Sequence, residues 1–306
     1  MNSKGKTLIL EHIKCDFCGC NEYHIRYRKP DTWLWLNQFE YPVVECKNCS
    51  LVYVNPRPTQ DSMADFYVNE YHDNRDTEEF LKRYEYECEY LPKLTNENVL
   101  DIGCAKGDFL IFLKKKYPDI SIYGIDYFSE HVNSDEIIFE QELLDESTYP
   151  DEFFDIITAW GVFEHLHTPS QYFKKVSKIL KKGGKFIFLV TNSESFYGKK
   201  AFIEDIPRHT YHYSEKSLKN YANKFGFSMK VQYDDQIWDG RGTGTFYHTL
   251  SSLFGVTWER RYFNQLNIFQ KIAGNVGQFV DSIIFRTHWE VKKRRSGVII
   301  VEFIKK

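Results

Sequence analysis

The sequence has no apolar run of the roughly 20 residues that a helix needs to cross a bilayer. Its N-terminal stretch, MNSKGKTLILEH, lacks the apolar core and the small-residue cleavage site of a signal peptide. A general excess of basic residues is missing as well, since the net charge is -3 at pH 7. Such a chain has no broad positive field for a nucleic-acid backbone. We therefore expect a cytoplasmic protein, and we do not expect nucleic acid to be its partner.

The dinucleotide fingerprint G-x-G-x-x-G is also missing. The glycine turn in VLDIGCAKGDFL, residues 99–110, has the pattern D-x-G-x-x-x-G, with Asp101 ahead of Gly103 and Gly107. In the fingerprint, the middle glycine lets a pyrophosphate approach the helix N-terminus, whereas Asp101 would repel one. This spacing argues against a nicotinamide-dependent dehydrogenase and favours a ligand that carries an ammonium group.

Apolar runs alternate with helical patterns from residue 97 onward. The pattern predicts strands at NVLDIG, ISIYGID, EIIFE, FFDIITAW and KFIFLVTN, and helices at DFLIFLKKKY and SQYFKKVSKILKKGG. Such an order forms a mostly parallel sheet with helices on both faces, which binds ligands outside the carboxyl ends of its strands. Asp101, Asp126 and Trp160 lie at or near strand ends, so we expect them to converge. Asp126 is positioned to accept hydrogen bonds from both ribose hydroxyls, and an adenosine with a cationic amino-acid tail satisfies both acids.

These motifs resemble, in order, those of class I S-adenosylmethionine-dependent methyltransferases. VLDIGCAKGDFL, YGIDY, FFDIITAWGVFEHL and ILKKGGKFIFLVTN carry the resemblance, which runs from about residue 97 to 235. It implies an α/β fold with a Rossmann-like seven-stranded sheet in the order 3-2-1-4-5-7-6, whose antiparallel seventh strand would be residues 297–305. The interval before the third strand is short, so the usual helix there would be shortened or lost.

The resemblance also implies S-adenosylmethionine as the cofactor. The residues expected to bind it are Asp101, Gly103, Cys104 and Gly107 at the methionine part, Asp126 at the ribose, Tyr127 and Glu142 at the adenine, and Trp160 at the end of the fourth strand.

Five of the seven cysteines fall within the first 49 residues. Two C-x2-C pairs suit a tetrahedral zinc ion, because each pair offers two thiolates about 2.3 Å from the metal. We predict that Cys15, Cys18, Cys46 and Cys49 hold a structural zinc, with Cys20 able to replace Cys18 in another register. This segment resembles the zinc-binding module of a methyltransferase subgroup, several members of which act on sugars, sugar nucleotides or surface-glycan precursors.

Two histidines are candidates for the base that removes a proton from the acceptor. His165 in GVFEHLHT follows the fourth strand, and His209 in EDIPRHTYHYS lies after the fifth. The resemblance favours both positions, and the pKa of histidine, near 6.5, suits proton transfer. Structural roles stay open for both histidines. His165 could be a hydrogen-bonding residue at a helix start, and His209 could hold a lid in place. Arg208, Glu204 and Asp205 are candidates for orienting the acceptor.

The sequence predicts five segments. They are a zinc ribbon at 1–60, a linking helical segment at 61–96, the methyltransferase core at 97–243, a helical insertion or lid at 244–290 and the final strand at 291–306. The insertion has apolar residues at helical spacing, which fits ordinary packing of an extra subdomain, an acceptor lid, an oligomer surface or a helix on a membrane. Membrane contact is the least favoured, because the polar face is not rich in lysine and arginine.

Taken together, these features predict an enzyme that transfers a methyl group from S-adenosylmethionine to a small polar acceptor, with the hydroxyl of a sugar-like molecule as the first choice. Two other classes stay open: an RNA methyltransferase that contacts nucleic acid through its zinc ribbon, and a cofactor-binding scaffold without catalysis. The lack of a long basic stripe argues against the first. The intact D-x-G-x-x-x-G pattern argues against lost cofactor binding.

Overall fold

The computed structural model describes residues 8–31, 37–67, 78–129, 131–196, 205–234, 237, 244–257, 260–261 and 263–306. In this part of the chain the strands are β1 (Leu10–Glu11), β2 (Tyr23–Lys29), β3 (Tyr41–Cys46), β4 (Val52–Val54), β5 (Arg57–Pro58), β6 (Asn98–Ile102), β7 (Ser121–Ile125), β8 (Ile138–Glu140), β9 (Phe154–Trp160), β10 (Leu180–Thr191), β11 (Tyr211–His212), β12 (Phe227–Asp234) and β13 (Val298–Lys305). The α-helices are α1 (Gln60–Met63), α2 (Glu78–Glu89), α3 (Asp108–Lys116), α4 (Pro169–Ile179), α5 (Glu215–Lys224), α6 (Thr245–Leu253), α7 (Ile268–Phe285) and α8 (Trp289–Lys292). Short 3-10 helices lie at Ala64–Phe66 and Phe163–His165.

A mixed seven-stranded sheet forms the centre of the fold. Its order is β12-β13-β10-β9-β6-β7-β8. The strands from β10 to β8 are parallel neighbours, while β13 is antiparallel to both β10 and β12. When the seven strands are numbered along the chain and read from β8 to β12, this is the order 3-2-1-4-5-7-6 with an antiparallel seventh strand. The predicted α/β Rossmann-like sheet is therefore confirmed.

The central strands are buried on both faces because helices cover the sheet, as their near-continuous apolar sequences predict. On one face, closely packed aromatic rings form the core, including Phe163, Phe173, Phe186 and Phe188, with 4.4 Å between the ring centroids of the last two. Smaller aliphatic side chains fill the other face. This packing fixes the strands rigidly, so the side chains at their carboxyl ends have defined positions.

The described residues between β7 and β8 contain no helix, as the short interval in the sequence predicted. The segment runs instead as turns, and its side chains Val132 and Ile137 lie against Gly107 at the start of α3. An irregular segment therefore follows the carboxyl end of β7 and packs against the start of α3.

A second sheet joins the cysteine-rich segment to the core. Its order is β11-β4-β3-β2, so β11 completes a sheet whose other strands lie much earlier in the chain. The carboxylate of Asp16 strengthens the connection, because it accepts hydrogen bonds from Ser170 Oγ at 2.6 Å and Tyr221 Oη at 2.7 Å. The N-terminal segment is thus packed directly against α4 and α5, two of the helices that cover the central sheet.

Residues 244–290 contain the antiparallel helices α6 and α7. The carboxylate of Asp281 on α7 accepts hydrogen bonds from the backbone N–H groups of Phe246 and Tyr247 at the start of α6, at 3.0 and 2.8 Å. Among the helices in the described ranges, none is long and apolar enough to cross a membrane.

Candidate active site

A cleft of about 2130 Å³ lies at the carboxyl ends of β6, β7 and β9. It exceeds the roughly 300–1,000 Å³ of a typical small-molecule pocket, so it has room for a cofactor and an acceptor together. The predicted site residues that line it are Asp101, Gly103, Cys104, Asp126, Tyr127, Glu142, Trp160, His165 and His209. Gly107 is not in the lining and lies behind the turn, at the start of α3.

The glycine turn is held in one conformation by its neighbours. Gly103 has a φ of +69°, and a Cβ atom there would lie 2.6 Å from Cγ2 of Val162. Its backbone N–H donates to the carbonyl of Ile125 at 2.8 Å, which joins the turn to the end of β7. Only glycine fits this position without displacing a neighbour, because both the backbone angle and the close approach disfavour a side chain.

Asp126 anchors the same turn from the end of β7. Its carboxylate accepts hydrogen bonds from the backbone N–H groups of Ala105, Phe128 and Ser129, at 2.9, 2.8 and 3.0 Å. A carboxylate can accept about four hydrogen bonds, so this one has capacity for about one more donor. A ribose hydroxyl at this point could add that bond.

The predicted adenine side is apolar and open. The side chains of Tyr127 and Phe128 are 47% and 52% exposed, and the Phe128 ring stacks on Tyr67 with centroids 5.4 Å apart. Glu142 Oε1 accepts a hydrogen bond from the N–H of Leu143 at 2.8 Å. An aromatic surface beside a carboxylate suits a purine that carries an amino group. Phe128 was missed by the sequence analysis, although it directly follows Tyr127.

Asp101 is buried at the end of β6, where its Oδ1 accepts a hydrogen bond from Thr158 Oγ1 at 2.7 Å. Burial raises the pKa of Asp101 well above its ordinary value, and the carboxylates of Glu87 and Asp126 raise it further. A cationic ligand would favour the charged form of Asp101 and lower its pKa again. The site therefore suits the ammonium group predicted from the sequence.

Helix α2 contributes cleft residues that the sequence analysis treated as part of a linking segment. Arg83, Tyr84 and Glu87 all line the cleft, and Arg83 Nε donates to Glu87 Oε1 at 2.7 Å. A half-buried arginine and a buried carboxylate beside Asp101 could bind the two charged ends of an amino-acid group. The i, i+4 spacing of Arg83 and Glu87 was the available signal, since it places them on one helix face.

Trp160 ends β9 and faces the same cleft. Its ring packs edge-on against Phe109 with centroids 5.6 Å apart, and its indole Nε1 is buried without a hydrogen-bond partner among the described residues. A buried indole N–H is only a donor, so an acceptor on a bound ligand would satisfy it.

His165 and His209 lie side by side, with ring centroids 4.6 Å apart. His209 Nε2 lies 2.9 Å from Asp205 Oδ2, and His165 Nδ1 lies 3.0 Å from the hydroxyl of Tyr67. The ligand atoms of Glu164, His165 and His209 lie within 4.8 Å of one another, so this group could also hold a metal ion. The two predicted histidines thus form one cluster with acidic partners.

The two histidines differ in protonation. Burial disfavours a charge on His209, but Asp205 and Glu164 outweigh it and raise the pKa of His209 above its ordinary value. Burial, together with the charge of His209, lowers the pKa of His165 to about 3. The pKa of Asp205 is lowered in spite of its burial, because His209 and Arg208 stabilise the carboxylate. His209 therefore keeps its extra proton to a higher pH than an ordinary histidine does, whereas His165 stays neutral.

This protonation pattern predicts a pH-dependent stability effect. A histidine whose pKa is raised in the folded state stabilises the fold fully below its unfolded-state pKa of about 6.5. This stabilisation is lost as the pH rises through the folded-state pKa. We expect His209→Asn to lower the free energy of unfolding more at pH 5.5 than at pH 9, measured by urea denaturation.

His167 provides the matched control, because burial lowers its pKa to about 4. A lowered histidine pKa destabilises the fold increasingly as the pH falls from about 6.5 to about 4, so His167→Asn should cost less stability at pH 5.5 than at pH 9. Equal effects of His209→Asn at the two pH values would contradict the assignment of the proton.

Arg208 does not reach the cleft, in contrast to its predicted role with the acceptor. It is fully buried, its Nε donates to Asp205 Oδ1 at 2.6 Å, and its Nη2 lies 3.4 Å from Oδ1 of Asp31. Asp205 itself lines the cleft beside His209. Glu204 lies outside the described residues. The prediction for Arg208 was wrong because a loop position in the sequence gave no sign that its side chain would be buried.

The four predicted metal cysteines lie together in the N-terminal segment. Their Sγ atoms all lie within 4.8 Å of one another, with 3.4 Å between Cys15 and Cys49 and 3.6 Å between Cys18 and Cys46. Sulfurs around a tetrahedral zinc are about 3.8 Å apart when the bonds are about 2.3 Å. The sulfurs of a disulfide are about 2.05 Å apart, so these distances fit four separate metal ligands better.

The two cysteine turns have the same backbone geometry. Gly19 N–H donates to the carbonyl of Cys15 at 2.8 Å, and Ser50 N–H donates to that of Cys46 at 3.0 Å. Gly19 and Ser50 both have a positive φ, 72° and 64°. Cys20 lies outside the cluster and accepts a hydrogen bond from the N–H of Glu22 at 3.3 Å. The register with Cys18 is thus the one that the structure adopts, and the residues present fit a zinc ion.

Comparisons with known proteins agree with this fold. A family model described as a methyltransferase domain matches residues 71–231. The chain is 24% identical over 177 residues to a ubiquinone biosynthesis O-methyltransferase of Coxiella burnetii, covering 54% of this chain and 73% of that protein. It is 32% identical over 110 residues to phosphoethanolamine N-methyltransferase 1 of Zea mays, covering 32% and 22%. It is 24% identical over 124 residues to a malonyl-[acyl-carrier protein] O-methyltransferase of Paenibacillus, covering 37% and 43%.

The chain thus spans less than half the length of the Paenibacillus and maize relatives. Among solved structures, a complex of a methyltransferase activator with a methyltransferase from Haloferax volcanii matches with a TM-score of 0.50 and 16% identity, over 72% of this chain and 87% of the other. That likeness shows the fold. The family model covers more than half of the 306 residues. The chain therefore belongs to the class I S-adenosylmethionine-dependent methyltransferase family.

Proposed function

We propose that this protein transfers a methyl group from S-adenosylmethionine to a hydroxyl of a small polar acceptor. The observation that carries the proposal is the meeting of two groups in one cleft: the acids Asp101 and Asp126 at neighbouring strand ends, and the pair of His209 and Asp205. The first group suits an adenosine with an amino-acid tail, and the second suits removal of a proton.

The cofactor would lie along the carboxyl edge of the sheet. Asp126 accepts a hydrogen bond from a ribose hydroxyl, and the apolar surface of Tyr127 and Phe128 contacts the adenine. Asp101 and the pair of Arg83 and Glu87 bind the charged ends of the methionine group. When bound, the sulfonium of the cofactor supplies the methyl group.

His209 is the base in this proposal. Above its raised pKa the imidazole of His209 is neutral and takes the proton of the acceptor hydroxyl, and Asp205, which raises that pKa, stabilises the resulting imidazolium. His165 stays neutral and is oriented by its hydrogen bond with Tyr67, so it holds the acceptor in position. Positioning alone contributes much of the rate in such a displacement, and a correctly placed base adds about 10²–10⁴-fold.

The acceptor is proposed to be a sugar, a sugar nucleotide or a glycan precursor. Two features support this class: the resemblance of the cysteine-rich segment to modules of methyltransferases with such acceptors, and the polar side chains at the acceptor end of the cleft. These are Gln60, Tyr67, His167 and Thr168, which offer donors and acceptors to a polyhydroxyl compound. The relatives are named for malonyl-acyl carrier protein, phosphoethanolamine and ubiquinone biosynthesis, so their names do not define one acceptor class.

The cysteine cluster is proposed to hold a structural zinc ion. All four ligands are thiolates from the protein, so the coordination sphere would be closed, as in structural zinc sites. The cluster supports the sheet that contains β11, which directly follows the loop of His209.

The proposed function predicts a clear ligand preference. In a calorimetric titration of the purified protein we expect S-adenosylhomocysteine to bind with micromolar affinity and NAD to give no heat of binding. In a separate assay with S-adenosylmethionine that carries a radiolabelled methyl group, the protein should transfer that methyl group to a member of a panel of sugar nucleotides and release S-adenosylhomocysteine. Preference for NAD would refute the cofactor assignment. Transfer to phosphoethanolamine or to RNA instead of sugars would support the methyltransferase activity and refute the proposed sugar-like acceptor.

A further inference from the structure

Helix α7 carries an apolar stripe that the rest of the described chain leaves exposed. The stripe consists of Phe269, Ile272, Val276, Phe279 and Ile283, which are 68%, 52%, 49%, 65% and 51% exposed. Their spacing alternates between three and four residues, which is the heptad pattern of a coiled-coil seam. A stripe of this kind normally packs against another helix.

The other face of α7 already has a partner within the chain. At Gly277 a Cβ atom would lie 2.4 Å from the Cα of Tyr247, so α6 and α7 are in backbone contact there. Asp281 caps the start of α6 from the same face. This packing fixes the rotation of α7 and directs the stripe away from α6.

The exposed apolar surface continues onto the end of α6. Gln270 Nε2 donates to the carbonyl of Phe254 at 3.1 Å, which holds the end of α6 beside the start of α7. Leu253, Phe254 and Ile268 there are 76%, 53% and 63% exposed. With the stripe, these side chains expose roughly 850 Å², more than the about 300–600 Å² of the largest patch on a typical monomer. A stable interface buries about 800 Å² on each partner, so this surface is large enough for one.

The pattern of the stripe fits a second copy of itself. Phe269 and Ile283 lie seven residues on either side of Val276, and Ile272 and Phe279 lie four and three residues from it. An antiparallel contact centred on Val276 would therefore bring Phe269 of one copy against Ile283 of the other and Ile272 near Phe279, so that a ring meets a smaller aliphatic side chain on both sides of the two-fold axis, as an isologous contact allows. We infer that the protein forms a homodimer in which α7 of one copy packs antiparallel against α7 of the other.

A membrane surface fits the same stripe less well. Helices that lie on membranes usually have lysine and arginine on their polar face, whereas Lys271 is the one basic residue within α7. Four basic residues follow α7 in a run, at positions 292–295, and in this run Arg294 pairs with Glu215 and Arg295 with Glu194. Two of the four charges of that run are therefore paired within the chain.

The mass of the protein in solution tests the dimer. We expect sedimentation equilibrium at micromolar concentration to give twice the monomer mass for the wild type, and the monomer mass for Phe279→Glu. Phe279 is largely exposed in the monomer, so the variant should keep the circular dichroism spectrum and melting curve of a folded chain. Gln278→Glu adds the same charge at the adjacent exposed position outside the stripe and should remain dimeric.

Cross-linking tests the geometry separately. Val276 lies near the proposed two-fold axis, so Val276→Cys should form a disulfide-linked dimer on mild oxidation, well above the wild-type background, while Gln278→Cys should not. A monomeric wild type, or equal cross-linking of the two variants, would overturn the inference. Flotation of the wild type with phosphatidylserine vesicles, lost in Phe279→Glu, would also overturn it and assign the stripe to lipid.

Discussion

Replacing Cys46 with serine is expected to unfold the N-terminal sheet. The proposed zinc ion joins two turns that are far apart in sequence, and structural zinc contributes about 10–16 kcal/mol of binding free energy in small zinc-finger peptides. Cys46 ends β3 and is 1% exposed, so its loss both removes a ligand and leaves a hydroxyl in a buried site. Burial also raises the pKa of the Cys49 thiol to about 12, so the thiolate of Cys49 forms readily only with a cation.

The measurement is a thermal melt with and without a zinc chelator, together with the zinc content by mass spectrometry. We expect one zinc per chain in the wild type, and a melting temperature lower by about 5–10 °C in Cys46→Ser, since each kcal/mol lost shifts the melting temperature of a chain of this size by about 1.5–2 °C. Cys20→Ser is the matched control, because Cys20 lies outside the cluster and should change neither quantity. A zinc-free wild type with an unchanged melt on chelation would refute the metal site.

Loss of the metal should also affect the two halves of the cleft differently. The histidine cluster is connected to the cysteine-rich segment through Arg208, which contacts both Asp205 and Asp31, and through β11. Asp126 has no comparable connection among the described residues, since its hydrogen bonds go to the turns after β6 and β7. Binding of S-adenosylhomocysteine should therefore survive moderate chelation better than methyl transfer.

The parts of this molecule that were predictable from sequence share a local cause. Asp101 and Asp126 each end an apolar run, and parallel strands bring such ends to one edge, so their meeting follows from the pattern alone. The cysteine pairs are similar, because ligand spacing within each turn is fixed by the chain. Gly103 belongs to the same class, since a tight turn after a strand demands it.

The parts that were not predictable depend on contacts between distant segments. Arg208 is charged and follows a loop, and only the tertiary fold shows that Asp31 and Asp205 enclose it. Arg83 and Glu87 were read as a linker because nothing nearby in sequence places their helix over the glycine turn. The choice between His165 and His209 as base also depended on the tertiary fold, because Asp205 and burial set their pKa values in opposite directions.

Replacing Asp126 with alanine is expected to weaken S-adenosylhomocysteine binding by about 100-fold or more. A hydrogen bond to a charged group contributes about 1.5–3 kcal/mol, and each 1.4 kcal/mol is about tenfold in affinity. The variant also leaves the N–H groups of Ala105, Phe128 and Ser129 without their acceptor, so the turns that shape the site should loosen. Calorimetric titration of both proteins measures the change directly.

Asp155→Ala separates loss of the ligand contact from loss of fold. Asp155 accepts hydrogen bonds from the N–H of Asn98 at 3.0 Å and from Lys181 Nζ at 2.7 Å, so it too supports neighbouring strands, but at their amino ends, away from the cleft. This variant should lower the melting temperature and leave the affinity for S-adenosylhomocysteine unchanged. If Asp126→Ala also kept its affinity, the ribose could not lie at the end of β7. The assignments of Tyr127, Phe128 and Glu142 to the adenine would then fail with it, because all three depend on the position of the ribose.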